Sequence, residues 1–146
     1  MNSSPGDGPD AAHRRPAGVS DKTVEALGKL SEALETVERA RGRLYDLHQL
    51  IGHADLMLDD AVAMLREAGH DGTAERIETE LLGRNVIPGR WTFQIVEDFD
   101  DGYYTVFRDL ERDARHKLAQ GRRHLFEAEM KERRRTHGRA GHEATP

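Results

Sequence analysis

The chain contains no cysteine among its 146 residues. A sequence without cysteine cannot form a disulfide scaffold, a thiol enzyme or a zinc site with thiolate ligands. It also lacks an apolar run near the 18 or more residues that a membrane-spanning helix requires, and residues 1–19 lack the apolar core of a secretory signal. These absences predict a cytoplasmic protein without a membrane span.

Large hydrophobic residues are scarce, because Leu, Ile, Val and Phe together occupy 29 of the 146 positions. A fraction of about 20% lies at the border of disordered composition. Twenty-six of these residues nevertheless lie between Val24 and Leu118. The sequence therefore predicts a disordered tail over residues 1–19, a helical domain over residues 20–118, and a C-terminal arm over residues 119–146 that is partly helical and partly disordered.

The formal net charge of −5 is distributed unevenly. Residues 20–111 carry 20 acidic and 10 basic side chains, whereas residues 112–146 carry 5 acidic and 10 basic ones. Because clustered basic side chains attract phosphate backbones, the arm is a candidate nucleic-acid contact. Its candidate residues are Arg122, Arg123, Lys131, Arg133, Arg134, Arg135 and Arg139. Three glutamates interrupt this run and no aromatic platform accompanies it, so we favour docking of the arm on the protein itself or on a partner protein.

The first helix has a heptad pattern. Ser20 is a suitable N-cap, and the seam positions that follow alternate in steps of three and four. This first seam consists of Leu27, Leu30, Leu34, Val37, Arg41, Leu44, His48 and Ile51. A helix of about 30 residues is roughly 45 Å long, so we expect the first seam to pack either inside a bundle or against a second chain in a homodimer. Arg41 and His48 fix the register in either case, and Arg41 requires an acidic partner, either Glu38 or an acid on the facing helix.

Shorter elements follow the first seam. Gly52 and His53 predict a break, after which the pattern predicts helices over about residues 54–68 and 73–82 and a loop over residues 83–90. Residues 91–97 alternate as in a strand, but the longer spacing through Leu118 favours a helix over residues 91–118, with Gly102 as its weak point. We predict an all-α helical bundle with one long, coiled-coil-like N-terminal helix and a long C-terminal helix.

Six of the eight Phe, Tyr and Trp residues fall within 17 positions: Trp91, Phe93, Phe99, Tyr103, Tyr104 and Phe107. Aromatic side chains bury large areas in cores and in interfaces alike. We favour a core role for the cluster. The alternative is a docking surface made by Arg90, Trp91 and Phe93, beside the turn at Pro88 and Gly89.

Catalytic motifs are few. Serine occurs only at positions 3, 4, 20 and 31, and neither a P-loop nor a dinucleotide fingerprint is present. Two pairs with helical spacing, Glu67 with His70 and Asp113 with His116, leave a metal-dependent helical-bundle enzyme as a less favoured alternative. No residue is assigned a catalytic, cofactor-binding or metal-binding role. The favoured hypothesis is a non-enzymatic protein-interaction or scaffold module, with nucleic-acid binding as the first alternative.

Two segments carry a resemblance to other proteins. Residues 90–103, RWTFQIVEDFDDGY, and residues 131–139, KERRRTHGR, occur in a chain rich in Ala, Arg, Asp and Gly. In these features the chain resembles small uncharacterised helical proteins of high-GC actinobacteria, and the resemblance spans residues 20–143. It implies a cytoplasmic protein, and it supplies no activity, cofactor or catalytic residue.

Overall fold

The computed structural model describes residues 7–145, and over these residues the fold is all-α, as predicted. The helices are α1 (Asp21–Glu67), α2 (Asp71–Glu80), α3 (Thr92–Phe99), α4 (Thr105–Ala119) and α5 (Leu125–Arg134). A short 3₁₀ helix covers Ala11–His13, and a π-helical segment, Asp100–Tyr104, joins α3 to α4. Between residues 7 and 145, no helix combines the length and the apolar character needed to cross a membrane.

Helix α1 is longer than predicted. The expected break at Gly52 and His53 is wrong, because α1 continues through both and contains 47 residues. A glycine inside a helix costs only about 1 kcal/mol relative to alanine. The first seam continues beyond it through Leu58, Val62 and Leu65, whose side chains are all buried or half-buried. Packing on both sides of Gly52 therefore outweighs its local preference, and the helix predicted over residues 54–68 is the C-terminal part of α1.

The segment from Thr92 to Ala119 is helical, so the strand alternative for residues 91–97 is wrong. A backbone hydrogen bond from the Trp91 amide to Gln94 Oε1, 2.9 Å long, fixes the start of this segment. The predicted single α-helix is interrupted by the π-helical segment, which contains Gly102. Such segments insert one extra residue into a turn and are frequent at functional sites. The predicted weak point therefore widens the helix without breaking it.

Two compact units make up the chain. Unit 1 consists of the described part of Met1–Thr36 and the described part of Val106–Pro146, and unit 2 is Val37–Thr105. Unit 1 has a buried cluster of Val24, Ala119 and Leu125, against which Val19 and Leu27 pack. Unit 2 buries the hydrophobic side chains of Val62, Ala74, Val96 and Tyr104. The predicted helical domain over residues 20–118 is therefore distributed over both units.

Residues 1–6 and 146 lie outside the described residues, so the predicted disorder of residues 1–6 stays a prediction. Residues 7–19 carry structure that the prediction of a tail did not include. Pro16 is buried, and the Arg15 guanidinium lies 2.7 Å from a carboxylate oxygen of Asp21 and 2.7 Å from one of Glu129. The predicted N-cap is confirmed, because Ser20 Oγ accepts a hydrogen bond of 3.1 Å from the Thr23 amide.

Candidate functional site

Arg41, a polar member of the first seam, pairs with an acid inside unit 2. Its Nε and Nη2 donate hydrogen bonds of 2.8 and 3.0 Å to the two carboxylate oxygens of Asp100, the first residue of the π-helical segment. The Asp100 carboxylate raises the pKa of Arg41 above its ordinary value. Of the two acidic partners expected from the sequence, the acid on the facing segment is therefore the one that pairs with Arg41.

Two aromatic rings lie beside the Arg41 guanidinium. The Arg41 guanidinium carbon lies 4.6 Å from the ring centroid of Tyr104 and 5.3 Å from that of Tyr45, both distances at which a cation interacts with an aromatic ring. The Tyr104 hydroxyl donates a hydrogen bond of 2.5 Å to Glu38 Oε1. Arg41 thus pairs with Asp100 and Tyr104 with Glu38, and both contacts connect the π-helical segment to α1.

Two further polar side chains follow Arg41 at intervals of seven residues. His48 Nδ1 shares a hydrogen bond of 2.8 Å with the hydroxyl of Thr92, a residue with only 2% of its surface exposed. Asp55 Oδ1 accepts a hydrogen bond of 2.8 Å from the Gly83 amide, which follows α2. Arg41, His48 and Asp55 therefore all have partners within the same chain. The contacts of His48 and Asp55 orient α3 and the end of α2 on α1.

The predicted docking residues Arg90, Trp91 and Phe93 lie at the start of α3. Arg90 Nε donates to Asp98 Oδ2 at 2.5 Å. The Trp91 and Phe93 rings meet edge to face, with centroids 6.0 Å apart and planes at 88°. Trp91 is half-buried whereas Phe93 is 45% exposed. The structure brings these residues together, and Thr92 between the two rings connects them to His48.

Two of the seven basic side chains predicted for the arm form contacts within the chain. The buried Arg135 side chain pairs with Glu132 at 2.7 Å and with Asp7 at 3.0 Å, and Arg122 Nη1 donates to the Arg14 carbonyl at 2.6 Å. The other predicted contacts are exposed and form no ion pair with the described residues: Arg123, Lys131, Arg133, Arg134 and Arg139. Five of the seven predicted nucleic-acid contacts therefore face solvent.

One group of side chains in unit 1 has the composition of a metal site. Ligand atoms of Glu35, His124 and Glu127 lie within 4.8 Å of one another. One imidazole and two carboxylates would suit a divalent ion such as zinc. Two of the three residues are exposed and the third is half-buried, so their ligand atoms are well hydrated and nothing orients them toward an ion. This geometry alone does not make a metal centre.

The most distinctive surface was not predicted. A second seam runs along unit 2 on the side of α1 next to the first seam, and its positions also alternate in steps of three and four. It consists of Leu47, Leu50, Ala54, Met57, Ala61, Met64 and Ala68. Leu50, Met57 and Met64 are 68%, 62% and 67% exposed. Six of the seven apolar side chains of the second seam are thus exposed, and the seventh, Ala61, is half-buried.

A flank of four polar residues borders the second seam: Asp46, His53, Asp60 and Glu67. All four are exposed, and Asp46 pairs with Arg43 on α1 at 3.5 Å. Arg43 occupies the next seam position before Leu47, so a cation closes the N-terminal end of the second seam. The surface therefore has the layout of a helix-docking face: an apolar centre, one charged border, and a charge at the end.

No family model matches the chain, and neither a curated protein nor a solved structure shows significant similarity to it.

Proposed function

We propose that the protein is a non-enzymatic helical interaction module that docks an α-helix of a partner through the second seam. The observation that carries this proposal is the exposure of Leu50, Met57 and Met64 at heptad spacing. Apolar side chains in steps of three and four are the pattern by which one helix inserts its side chains between those of another. A contiguous exposed apolar surface of this kind marks an interaction site in soluble proteins.

The imbalance between buried and exposed side chains in unit 2 supports the proposal. Unit 2 buries four hydrophobic side chains, yet eleven of its large hydrophobic side chains are exposed. Four of the eleven belong to the second seam: Leu47, Leu50, Met57 and Met64. Burying a Leu or Met side chain that is otherwise in water stabilises a protein by about 1.5–3 kcal/mol. A partner helix on this face therefore supplies apolar burial that unit 2 lacks.

The interaction surfaces predicted from the sequence have less support. A homodimer through the first seam stays a prediction, and the pairing of Arg41 with Asp100 and of His48 with Thr92 makes the second seam the better candidate. Docking through Arg90, Trp91 and Phe93 also stays a prediction, as do nucleic-acid binding by the arm and a metal-dependent activity. The cytoplasmic location predicted from the sequence remains part of this proposal.

A photo-crosslinking residue in place of Leu56 tests the proposal. Leu56 is 68% exposed and directly precedes Met57 in α1 without being part of the second seam. Irradiation of cells that express the full chain should give an adduct whose yield falls strongly when Leu50 is changed to Asp. The control Leu110→Asp alters a leucine on α4 that is 62% exposed, compared with 68% for Leu50, and should leave the yield unchanged. Absence of any adduct, or an adduct that is insensitive to Leu50→Asp, contradicts the proposed function.

A further inference from the structure

We infer that the partner helix on the second seam is α1 of another copy of this chain. The second seams of the two copies pack against each other in antiparallel orientation, about a twofold axis between Asp55 and Leu56. This inference rests on the proposed function and specifies its partner. Two features of residues 43–68 support it, the sizes of the seam residues and the charges beside them, and the area they offer sets the expected affinity. All of these residues lie in unit 2.

The sizes of the seam residues are self-complementary. Large side chains occupy one heptad position, at Leu50, Met57 and Met64, whereas the other position holds Leu47, Ala54, Ala61 and Ala68. In an antiparallel pair these two positions face each other, so a large side chain meets a small one wherever the second position is alanine. With the axis stated above, Met57 meets Ala54 and Leu50 meets Ala61 in the four central layers, and two large side chains, Met64 and Leu47, meet in the layer on either side. A parallel pair would instead place alanine against alanine and methionine against methionine, which leaves gaps between crowded layers.

The charges beside the second seam favour the same arrangement. The antiparallel register places His53 of one copy beside Asp60 of the other, and Arg43 beside Glu67. Twofold symmetry forms each pair twice, because an isologous interface uses the same patch on both subunits. A parallel pair would place Arg43 of one copy directly beside Arg43 of the other. In the antiparallel dimer, Asp60 and Glu67 thus gain His53 and Arg43 of the other copy as neighbours. Arg43, which already pairs with Asp46 of its own chain, lies between Asp46 and the Glu67 of the other copy.

The available area sets the expected affinity. The second seam extends over residues 47–68, of which 21 belong to α1, and it corresponds to a strip roughly 33 Å long and about 10 Å wide. A standard stable interface buries about 800 Å² on each partner. A strip of roughly 300 Å² lies well below that value, so we expect a weak dimer that dissociates on dilution, with a dissociation constant in the high micromolar range.

Sedimentation equilibrium of the full chain over a wide concentration range gives the first test. The mass should rise from that of a monomer of 16.5 kDa toward twice that value. Met57→Asp should weaken association about 100-fold, because symmetry places the new carboxylate in the interface twice and each costs about tenfold. Met57 and Leu110 are both 62% exposed, so Leu110→Asp is the matched control and should dimerise like the wild type. Circular dichroism checks that both variants keep their helix content.

Charge exchange gives a second variant that does not depend on apolar burial. Arg43→Glu alone should weaken association several-fold, because both Arg43–Glu67 pairs become repulsive. Combining Arg43→Glu with Glu67→Arg should restore it. Failure of the double variant to regain affinity counts against the antiparallel register.

Spin labels measure the orientation directly, since the chain has no cysteine and one introduced cysteine carries one label. Leu56→Cys lies next to the proposed axis, so its two labels should be close together in the dimer. Arg39→Cys lies 17 residues away, so its labels should be separated by roughly 50 Å along the helix axis, at 1.5 Å per residue. Short distances at both sites identify a parallel dimer and overturn the antiparallel inference.

The failure of this inference is distinguishable from failure of the proposed function. A protein that stays monomeric at all concentrations overturns the inference of self-association. If the Leu56 crosslinker then gives a Leu50-dependent adduct of a mass other than twice that of the chain, the docking face is real and its partner is a different polypeptide. If it gives no adduct, both proposals are wrong.

Discussion

The Arg41 guanidinium holds both carboxylate oxygens of Asp100, at 2.8 and 3.0 Å, while the Tyr104 ring lies 4.6 Å from its carbon. Less than a third of either charged side chain is exposed. A paired geometry with two parallel hydrogen bonds is stronger and more directional than a single contact. This pair therefore connects the middle of α1 to the π-helical segment, and unit 2 depends on it for the placement of that segment.

We expect Arg41→Ala to destabilise the protein by about 1–3 kcal/mol, because it removes the two charged hydrogen bonds that Arg41 donates to the half-buried Asp100 carboxylate. Asp100→Asn alone should have a similar effect, and the double variant should cost clearly less than the two single changes together, with a coupling energy of about 1 kcal/mol or more. Urea unfolding monitored by circular dichroism measures all four proteins. The exposed pair of Arg76 and Glu80 serves as the control and should show coupling of about 0.5 kcal/mol or less. Additive effects at Arg41 and Asp100 would contradict a structural role for the pair.

Two glycines of α1 should respond in opposite directions to the same change. A Cβ at Gly28 would lie 2.9 Å from the Phe126 Cβ, so Gly28→Ala forces α1 and α5 apart and should destabilise the protein by about 1–3 kcal/mol. A Cβ at Gly52 meets nothing within 4 Å, so Gly52→Ala should stabilise it by about 0.5–1 kcal/mol through helix propensity. Urea midpoints of the two variants and the wild type decide this. A midpoint for Gly28→Ala that is not lowered would contradict the close approach of α5 to Gly28, and a lowered midpoint for Gly52→Ala would contradict the open space around Gly52.

The all-α fold could be predicted from the sequence, because apolar spacing and helix caps are local signals. The heptad pattern identified the first seam and showed that Arg41 needs an acid. It could not show that the acid is Asp100, since that depends on a π-helical segment 59 residues later. The continuation of α1 through Gly52 could not be predicted from the glycine alone. A glycine costs a helix about 1 kcal/mol, and the helix continues through it when the residues on either side pack against other elements.

The second seam was missed for a different reason. It lies on the same helix as the first seam and is shifted by a single residue. Ala54, Ala61 and Ala68 are small, so they gave a weaker hydrophobic signal than the larger members of the first seam. Spacing alone identifies which residues share a face, but it does not say which of two adjacent faces the rest of the chain covers. Only the contacts of α3 with His48 and of residue 83 with Asp55 decide that.

The nucleic-acid alternative makes a prediction of its own. Five exposed basic side chains on the arm permit at most about five phosphate contacts, so the affinity for duplex DNA should fall with salt with a logarithmic slope no steeper than about −4.5. Arg133→Gln should reduce the slope by roughly one contact. Arg135→Gln should leave it unchanged, because that side chain is buried against Glu132 and Asp7. Fluorescence titrations at several salt concentrations measure the slope, and binding that does not depend on salt excludes this alternative.

The ion pairs of Arg135 should make stability depend on acid pH. Arg135 holds the pKa of Asp7 below its ordinary value of 3.8, with a smaller contribution from His137, and holds the pKa of Glu132 below 4.5. Because both folded-state pKa values are lowered, the stabilisation is complete above about pH 4.5 and is lost as the pH falls through the folded-state values. Arg135→Gln should remove part of this dependence, so that urea midpoints fall less between pH 6 and pH 3 than in the wild type. The exposed Arg133→Gln is the control and should keep the dependence of the wild type, and equal slopes in all three proteins would show that Asp7 and Glu132 do not rely on Arg135.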